Sequence, residues 1–368
     1  MGSELPLLEI SGSPRERGRA HGEAFGSLIR ELVPAFFDDL EQTSKKHGVS
    51  VVTRERSLEI VATYREPTED YAPDLFEELC GIGEAADVDV DEVLALNAFL
   101  ELHDYYSDAF GISGCTSLIV PGSTSGEGAL IAQNYDLSSL FAEAAVLIKV
   151  VSDSAPDALF YTSAGMLGCA GVNSAGIGVV INNLVPSDST GGVIYPFIIR
   201  SILSAVRIGD AIDAVIAQPR ASGMNYVLCD ANGEIYDLET TATEYEVICP
   251  FDGPMAHANH YLTDRLKPYE RRQWDARGQS VLRWGRATRL LRSDPGASPT
   301  ALKEFLSDRV NAPIGICRHN EVVHGEACGQ TIAGIVLDPP GRRAWFTKGP
   351  TGVNRWQELS VENEKGMM

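Results

Sequence analysis

The chain has 368 residues, 44% of them hydrophobic, which is enough to bury the core of one large domain or of two ordinary ones. Its 51 acidic side chains exceed its 30 basic ones and give a formal net charge of -21, which argues against nucleic acid or an anionic membrane surface as a partner. No run approaches about 18 apolar residues and no signal-peptide pattern is present, so we expect neither a membrane span nor export.

Cysteine usage predicts the cellular compartment. The seven cysteines are few for the length, odd in number and widely spread, whereas a disulfide framework needs an even set at short spacings. We therefore expect a protein of the reducing cytoplasm. The cysteines stand at positions 80, 115, 169, 229, 249, 317 and 328.

The first hundred residues predict a largely helical segment. Apolar residues recur every four positions from Ala20 to Phe36, as on one face of a helix, and Ser13 is placed to cap that helix with Glu16 three positions later. Further helical patterns cover residues 52–65, residues 71–86 and the stretch VLALNAFLEL, which follows Asp89 or Asp91.

Beyond residue 114 the pattern changes to short apolar runs separated by turn residues. CTSLIV and ALIAQNYDL flank the loop PGSTSGEG and predict a hairpin, and TIAGIVLD and RRAWFTKG predict another around PPG. Helices are predicted at residues 195–218 and at about 280–306. Further predicted strands are AAVLIKVV, ALFYTSA, AGIGVVINN, NYVLCDA, GEIYDLETT and YEVIC. Because strands and helices are grouped rather than alternating, we predict an α+β layered fold.

The first hairpin predicts the surroundings of one cysteine. With the loop centred on residues 124–125, Cys115 faces Asn134, and Asp136 lies just beyond the end of the strand where Cys115 begins. The hairpin therefore predicts a carboxylate near this thiol.

The Gly114–Cys115 junction is open to two interpretations. A free cysteine is commonly a small buried hydrophobe, and Gly-Cys-Thr is a short, common pattern. Alternatively, the Cys115 sulfur attacks the Gly114 carbonyl and water resolves the resulting thioester. The freed α-amino group, with a reference pKa of about 7.7–8.0, then acts as base for its own thiol. Glycine favours this chemistry because it tolerates the strained backbone that an N-to-S shift needs.

Motifs spread over most of the chain resemble those of one family. They are GSPRERGRAHG (12–22), EELCGIGEAADVDVDEVLALN (77–97), SGCTSLIV, QNYDL, NSAGIGVVINN, HANHYL and CRHN. Together they resemble the acyl-coenzyme A:6-aminopenicillanic-acid acyltransferase family, peptidase family C45 of the N-terminal nucleophile (Ntn) hydrolases. The resemblance implies an αββα sandwich in which a mostly helical segment 1–114 and a strand-rich segment 115–368 form one domain, as two subunits after cleavage between Gly114 and Cys115.

The resemblance also implies roles for individual residues. Cys115 is expected to be the nucleophile and its freed amine the general base. Asp136 is expected to orient the new amino terminus, and Arg318 to lie close to the thiol, where a fixed cation lowers its pKa or steadies the aspartate.

Two asparagines are expected to form the oxyanion hole. Asn259, in HANHYL, matches the family residue whose amide helps to bind the oxyanion. Asn183 is the second contributor by gapless spacing from Asn173, although a one-residue shift would exchange it with Asn182.

The expected reaction is hydrolysis of a linear, nonpeptide N-acyl amide, or transfer of its acyl group, through a Cys115 thioester. The expected partners are a small-molecule amide or acyl thioester and the chain's own cleaved segment. No cofactor is expected, although a coenzyme A thioester can serve as acyl donor. The acyl group, the amine and any homo-oligomer are left open.

Two other interpretations use different residues. Cys317, His319, His324 and Cys328 can supply a Cys2His2 zinc set, although structural zinc sites usually have tighter cysteine pairs. A noncatalytic interaction protein is the other interpretation, and it predicts an uncleaved, inert chain.

Overall fold

Two stacked β-sheets carry helices on their outer faces in the computed structural model, which describes residues 4–46, 52–106, 114–122, 128–272, 274–323, 326–327 and 329–362. The helices are α1 (Pro14–Lys46), α2 (Arg54–Tyr71), α3 (Pro73–Ala86), α4 (Val90–Asn97), α5 (Phe99–Tyr106), α6 (Tyr195–Leu203), α7 (Ile208–Ile216), α8 (Trp274–Ser293) and α9 (Pro299–Leu306).

The strands are β1 (Leu7–Ile10), β2 (Gly114–Val120), β3 (Leu130–Leu137), β4 (Ala145–Val150), β5 (Ala158–Ser163), β6 (Ala170–Asn173), β7 (Gly178–Leu184), β8 (Gly223–Cys229), β9 (Ile235–Thr240), β10 (Tyr245–Ile248), β11 (Met255–His257), β12 (Val322–Val323), β13 (Glu326–Ala327), β14 (Gln330–Asp338), β15 (Arg343–Lys348) and β16 (Gln357–Ser360). One sheet has eight strands in the order β1-β4-β5-β6-β7-β8-β9-β10, and the other has six in the order β11-β2-β3-β14-β15-β16.

The layers follow from strands that are buried on both faces. Strands β2, β3 and β7 are buried along their whole length, as expected for sheets covered on both sides. Strands β2 and β3 contact β7 across the sandwich, while α8 and α9 cover the opposite face of the six-stranded sheet. Helices α6 and α7 contact the eight-stranded sheet, and α3 packs against α6 through Phe76 and Phe197. The predicted α+β αββα sandwich is confirmed.

Several predicted elements are confirmed and others divide. Ser13 donates its backbone N–H and its hydroxyl to Glu16 Oε2 at 2.8 and 2.6 Å, which is the predicted capping box of α1. The stretch VLALNAFLEL and the two later helical regions each form two helices rather than one. Strands β1, β11 and β16 are short and were not predicted. Strand β1 runs parallel to β4, so the segment before residue 114 adds a strand to the eight-stranded sheet.

The predicted hairpin forms, but its register is one residue different. Val120 pairs with Leu130, so Cys115 faces Tyr135 and not Asn134, while Gly114 faces Asp136. The reason is the number of residues in the loop. An odd number of residues separates the last paired positions, Val120 and Leu130, whereas the prediction assumed an even number. A shift of one residue exchanges the two faces of a strand. The side chains of Asn134 and Asp136 therefore lie on the opposite face of the sheet from Cys115.

Glycines of the two amino-terminal motifs, GSPRERGRAHG and EELCGIGEAADVDVDEVLALN, allow two helices to approach closely. Helices α1 and α3 cross with their backbones in contact, and a Cβ at Gly18 would lie 1.9 Å from Glu78 O. At the same crossing a Cβ at Gly81 would lie 2.3 Å from Arg15 O. The carboxylate of Glu78 then ties α3 to α6, because Arg200 donates to both of its oxygens at 2.7 and 3.1 Å.

We expect Gly18→Ala to destabilise the chain by about 3 kcal/mol, because the added methyl group overlaps the α3 backbone and the two helices must separate. Gly285→Ala is the matched control, since a Cβ there meets no atom within 4 Å and alanine favours a helix by about 0.5–1 kcal/mol. Chemical denaturation in a Cys115→Ala background, which keeps the chain intact, measures both. Equal stabilities would contradict the close crossing.

Among the described residues, no helix combines the length and the apolar character needed to cross a bilayer.

Candidate active site

Cys115 lies at the beginning of β2 and is 4% exposed. Its side chain points between the two sheets, on the same face as Ile119 and Tyr135 in the main core. The alternate residues Leu118 and Val120 belong instead to the cluster formed with α8 and α9. The thiol is thus at the end of the sandwich, inside it and shielded from water.

A buried carboxylate and a buried guanidinium lie beside Gly114. Arg318 Nε is 3.4 Å from Asp136 Oδ2, and Thr331 donates its hydroxyl to Asp136 Oδ1 at 2.6 Å. A Cβ at Gly114 would lie 3.2 Å from Arg318 Cζ and from Asp136 Oδ2. Glycine is therefore the residue that lets the backbone before Cys115 approach this ion pair.

Asn259 connects Cys115 to three other elements. It follows β11, which pairs with β2, and its Oδ1 accepts the Cys115 N–H at 2.8 Å. Arg283 donates to the same oxygen at 2.7 Å. Asn259 Nδ2 donates to the backbone oxygen of Asn183 at 3.0 Å, and its own N–H donates to Ser280 Oγ at 2.7 Å. The carboxamide thus makes hydrogen bonds from both of its ends.

The adjacent asparagines of β7 point in opposite directions. Asn183 donates its side-chain amide to Asp104 of α5 at 3.1 Å, while its backbone makes a hydrogen bond to the Cys115 thiol. Asn182 Oδ1 accepts from Ser117 Oγ at 2.9 Å, on the face of β2 that carries Cys115. Asn183 therefore contacts Cys115 through its backbone, and its side chain is directed to α5.

Burial controls the protonation of the site. It raises the pKa of Cys115 to about 12, and the charge of Asp136 adds to the effect. Backbone hydrogen bonds from Asp136 and Asn183, and the charge of Arg283, act in the opposite direction. Burial also raises the pKa of Asp136 above its usual range, against the charge of Arg318. In the intact chain the thiol is protonated at neutral pH, so reaction needs a base.

The structure brings together all the predicted site residues, which are Gly114, Cys115, Asp136, Asn183, Asn259 and Arg318. Sequence reasoning missed Arg283. It is 2% exposed and lies four and eight residues before Ala287 and Leu291, which are fully buried on α8. An arginine in line with an apolar helix stripe was the available signal.

Residues of the alternative zinc set have other contacts where they are described. Cys317 donates its thiol to Thr351 O at 3.3 Å, and His319 is partly exposed. His324 and Cys328 lie outside the described residues. Within the described ranges, no group of three or more His, Cys, Asp or Glu side chains is arranged to hold a metal ion.

His257 and His260 have different hydrogen-bond partners. Both ring nitrogens of His257 face acceptors at 2.8 Å, Glu239 Oε1 and Ala258 O, so both donate and the ring is an imidazolium. Burial lowers the pKa of His257, but Asp237 and Glu239 outweigh it and raise the pKa above its usual value. His260 Nδ1 lies 2.7 Å from Ser280 Oγ.

The family model for acyl-coenzyme A:6-aminopenicillanic acid acyl-transferase matches residues 123–352, more than half of the chain. The chain belongs to this acyltransferase family. The match includes Asp136, Asn183, Asn259 and Arg318, and it begins shortly after Cys115. As an acyltransferase family member the chain is an enzyme of acyl transfer or amide hydrolysis.

A relative supports the assignment over nearly the whole length. The chain is 26% identical over 348 residues to the 40 kDa form of acyl-coenzyme A:6-aminopenicillanic-acid-acyltransferase of Emericella nidulans, covering 93% of this chain and 92% of the relative.

Solved structures also match. An N-acylethanolamine-hydrolyzing acid amidase ortholog of Caenorhabditis elegans matches with a TM-score of 0.44 and 14% identity, over 61% of this chain and 93% of its own. Penicillin V acylase of Agrobacterium tumefaciens matches with a TM-score of 0.46 and 14% identity, over 67% of this chain and 86% of its own.

Two carboxyl groups of α5 are buried and accept hydrogen bonds from α6, β7 and the residue before β8. Glu101 accepts the Tyr195 N–H at 2.8 Å through Oε1, and burial raises its pKa to about 8. Asp104 accepts from Asn183 and from Ser222 Oγ, and burial raises its pKa to about 7.

We expect the free energy of unfolding of the intact chain to decrease as pH rises from the usual carboxyl pKa of 4.5 to about 8. Glu101 should be a principal cause. The neutral Glu101 carboxyl stabilises the fold fully below the usual pKa of 4.5, and this contribution is lost as pH rises through the folded-state pKa of about 8. Glu101→Gln cannot ionise, so its free energy of unfolding should gain on the parent by up to about 1.4 kcal/mol per pH unit in that window. Urea denaturation from pH 5 to pH 9, in a Cys115→Ala background, measures the difference.

Glu66→Gln, at an exposed position on α2, is the control and should follow the parent at every pH. A Glu101→Gln difference that does not change with pH would contradict the buried, protonated carboxyl.

Proposed function

We propose that this chain is an autoprocessing cysteine Ntn-hydrolase that cleaves a linear N-acyl amide or transfers its acyl group through a Cys115 thioester. The observation that carries the proposal is the placement of the Gly114–Cys115 peptide. Its N–H is held by Asn259, its glycine lies against Asp136 and Arg318, and the thiol is beside the backbone of Asn183.

The first step is self-cleavage. The Cys115 sulfur attacks the Gly114 carbonyl carbon, the C–N bond breaks, and the departing nitrogen takes a proton to become the amine of Cys115. Water then hydrolyses the Gly114 thioester to a carboxylate and restores the thiol. The products are residues 1–114 and 115–368, which we propose remain together as two subunits of one domain, since β1 and α3 pack against the carboxy-terminal segment.

Asp136 is well placed to bind the new amino terminus. Its Oδ2 accepts no hydrogen bond from the described residues and lies next to the position of Gly114. Once the Gly114–Cys115 bond is cut, displacement of Gly114 opens the space between the carboxylate and the Cys115 nitrogen. The amine has a reference pKa of about 7.7–8.0, so it can accept the thiol proton near neutral pH, which no group of the intact peptide does.

The same residues then act on the substrate. The thiolate attacks the acyl carbonyl, the negative oxygen is stabilised by Asn259 Nδ2 and the backbone N–H of Asn183, and the amine leaves with the proton. Water or a second amine resolves the thioester. The Asn183 contribution comes from its backbone, because its side chain is committed to Asp104.

The family name indicates acyl thioesters and amines as substrates, and we infer a linear amide as the first substrate class for this chain. We also infer a cytoplasmic location, because the cysteines of the described residues are free thiols and several of them are buried.

Intact mass spectrometry of freshly purified protein tests cleavage. The wild type should give two species, residues 1–114 and 115–368, and Cys115→Ala one full-length chain. A quenched reaction with N-acyl 4-nitroanilides should add the mass of the acyl group to the 115–368 species. A full-length wild type that hydrolyses amides would exclude the amino-terminal base, and a full-length, inert wild type would favour the noncatalytic interpretation.

Gly114→Ala should slow cleavage at least tenfold, because its Cβ would press on Arg318 and Asp136 at 3.2 Å and displace the scissile peptide. Gly128→Ala is a useful control, since its Cβ would meet Pro340 at 3.0 Å, away from Asp136 and Arg318. The fraction cleaved over time after purification from short expressions measures the rate. Unchanged cleavage in Gly114→Ala would show that the close approach of glycine is not required.

A further inference from the structure

Arg283 of α8 makes polar contacts with the first residues of β2 and with Asn259. Its Nη2 donates to Asn259 Oδ1 at 2.7 Å and lies 3.5 Å from Cys115 O. Its Nε donates to Thr116 Oγ1 at 3.2 Å. The guanidinium therefore spans the nucleophile's own residue, the next residue and the asparagine of the oxyanion hole.

Arg283 acts together with the Cys115 N–H and the Asn183 carbonyl to determine which way the Asn259 carboxamide points. The two ends of a carboxamide have nearly the same shape, so only hydrogen-bond partners distinguish them. A guanidinium is a donor and never an acceptor, so Arg283 can face only Oδ1. Asn259 Nδ2 is then directed to the opposite side, toward Asn183.

Helix α8 makes a second hydrogen bond to Asn259, at the backbone of that residue. Ser280 lies three residues before Arg283 on the same helix face and accepts the Asn259 backbone N–H at 2.7 Å. Ser280 holds the backbone of Asn259 and Arg283 holds its side chain. The helix therefore sets both the place and the orientation of this residue.

The guanidinium is held at an energetic cost. Arg283 is 2% exposed, and burial, together with the charge of Arg318, lowers its pKa to about 9. Its charge in turn favours the anionic forms of Cys115 and Asp136. A buried cation next to another cation is costly unless its hydrogen bonds and nearby anions compensate. Here those groups are the Asn259 carboxamide, the Thr116 hydroxyl, the Cys115 carbonyl and the Asp136 carboxylate.

We propose that Arg283 is a positioning residue for both self-cleavage and acyl transfer, acting through Asn259. It keeps Oδ1 toward the Cys115 nitrogen and Nδ2 toward the carbonyl oxygen that becomes negative. Without it, only the Cys115 nitrogen and the Asn183 carbonyl hold the carboxamide. A neutral amine can accept as well as donate a hydrogen bond, so after cleavage the carboxamide can turn over and present an acceptor to the oxyanion. This inference rests on the proposed function, because it concerns the residues of that same reaction.

A double-mutant cycle tests the proposal. Arg283→Met should lower kcat for N-acyl 4-nitroanilides by about 100-fold, as for loss of one oxyanion donor, with KM changed less than threefold. Asn259→Ala should cause a similar loss. If Arg283 acts through Asn259, adding Arg283→Met to Asn259→Ala should cost less than fivefold more, because the shared contribution is already lost. Rates are normalised to the cleaved fraction measured by intact mass.

Arg286→Met is the matched control. Arg286 lies one turn further along α8, pairs with Asp308 at 2.6 Å and makes no contact with Asn259, so kcat should stay within twofold of wild type. Methylguanidine should restore part of the activity of Arg283→Met and none of that of Asn259→Ala. Arg283→Lys keeps the charge but has all its donors on one nitrogen, so it carries the test if the methionine variant fails to fold, with an expected loss of about tenfold.

The outcomes separate this proposal from the proposed function. A wild type that neither cleaves itself nor hydrolyses amides overturns the proposed function and this inference with it. An active wild type with folded Arg283→Met or Arg283→Lys equal to Arg286→Met overturns the role of Arg283 alone. Fully multiplicative losses for Arg283→Met and Asn259→Ala would show that Arg283 does not act through Asn259.

Discussion

The hydrogen bond from the Cys115 N–H to Asn259 Oδ1 is the contact on which the rest of the site depends. It holds the first peptide of β2 against the segment that follows β11, and so connects residues 144 positions apart. Through the other end of the carboxamide the same side chain reaches β7 of the opposite sheet. One buried asparagine thus joins the two sheets at the end of the sandwich where Cys115 lies.

This arrangement requires that charged side chains be buried in the protein interior. Asp136, Arg283 and Arg318 are each less than 3% exposed, and each faces an opposite charge or a hydrogen-bond partner. The cost of burying such groups is offset only when their partners are in the correct positions. A fold that satisfies them also fixes the geometry of the thiol, so stability and preorganisation for catalysis have the same origin.

The two faces of β2 divide the work of the site. Cys115 faces the core between the sheets, where burial keeps the thiol neutral, and Gly114 opposes Asp136 on the side of α8. Because alternate residues of a strand point in opposite directions, a thiol and a carboxylate on neighbouring strands can lie close together and still be on different faces of the sheet. The Gly114–Cys115 peptide connects the two groups, since Gly114 lies against Asp136 and Cys115 carries the thiol.

Much of the site can be predicted from residues and motifs. The α+β class, the capping box of α1, both hairpins and the set of Gly114, Cys115, Asp136, Asn259 and Arg318 follow from periodicity, turn residues and family motifs, because these signals are local in the chain. Gly18 and Gly81 were part of recognisable motifs, but their reason, a backbone contact between α1 and α3, is visible only once the helices cross.

The register of the first hairpin, the direction of the Asn183 side chain and the contacts of Arg283 are visible only in the tertiary structure. A change of one residue in a loop exchanges the faces of a strand, and no local pattern reports it. Likewise, an arginine on an apolar helix stripe has no evident partner until packing brings α8 to β2. The amino-acid sequence sets which chemical groups are present and in what order. The folded chain sets which of them lie next to the Cys115 thiol, because that depends on contacts between residues far apart in sequence.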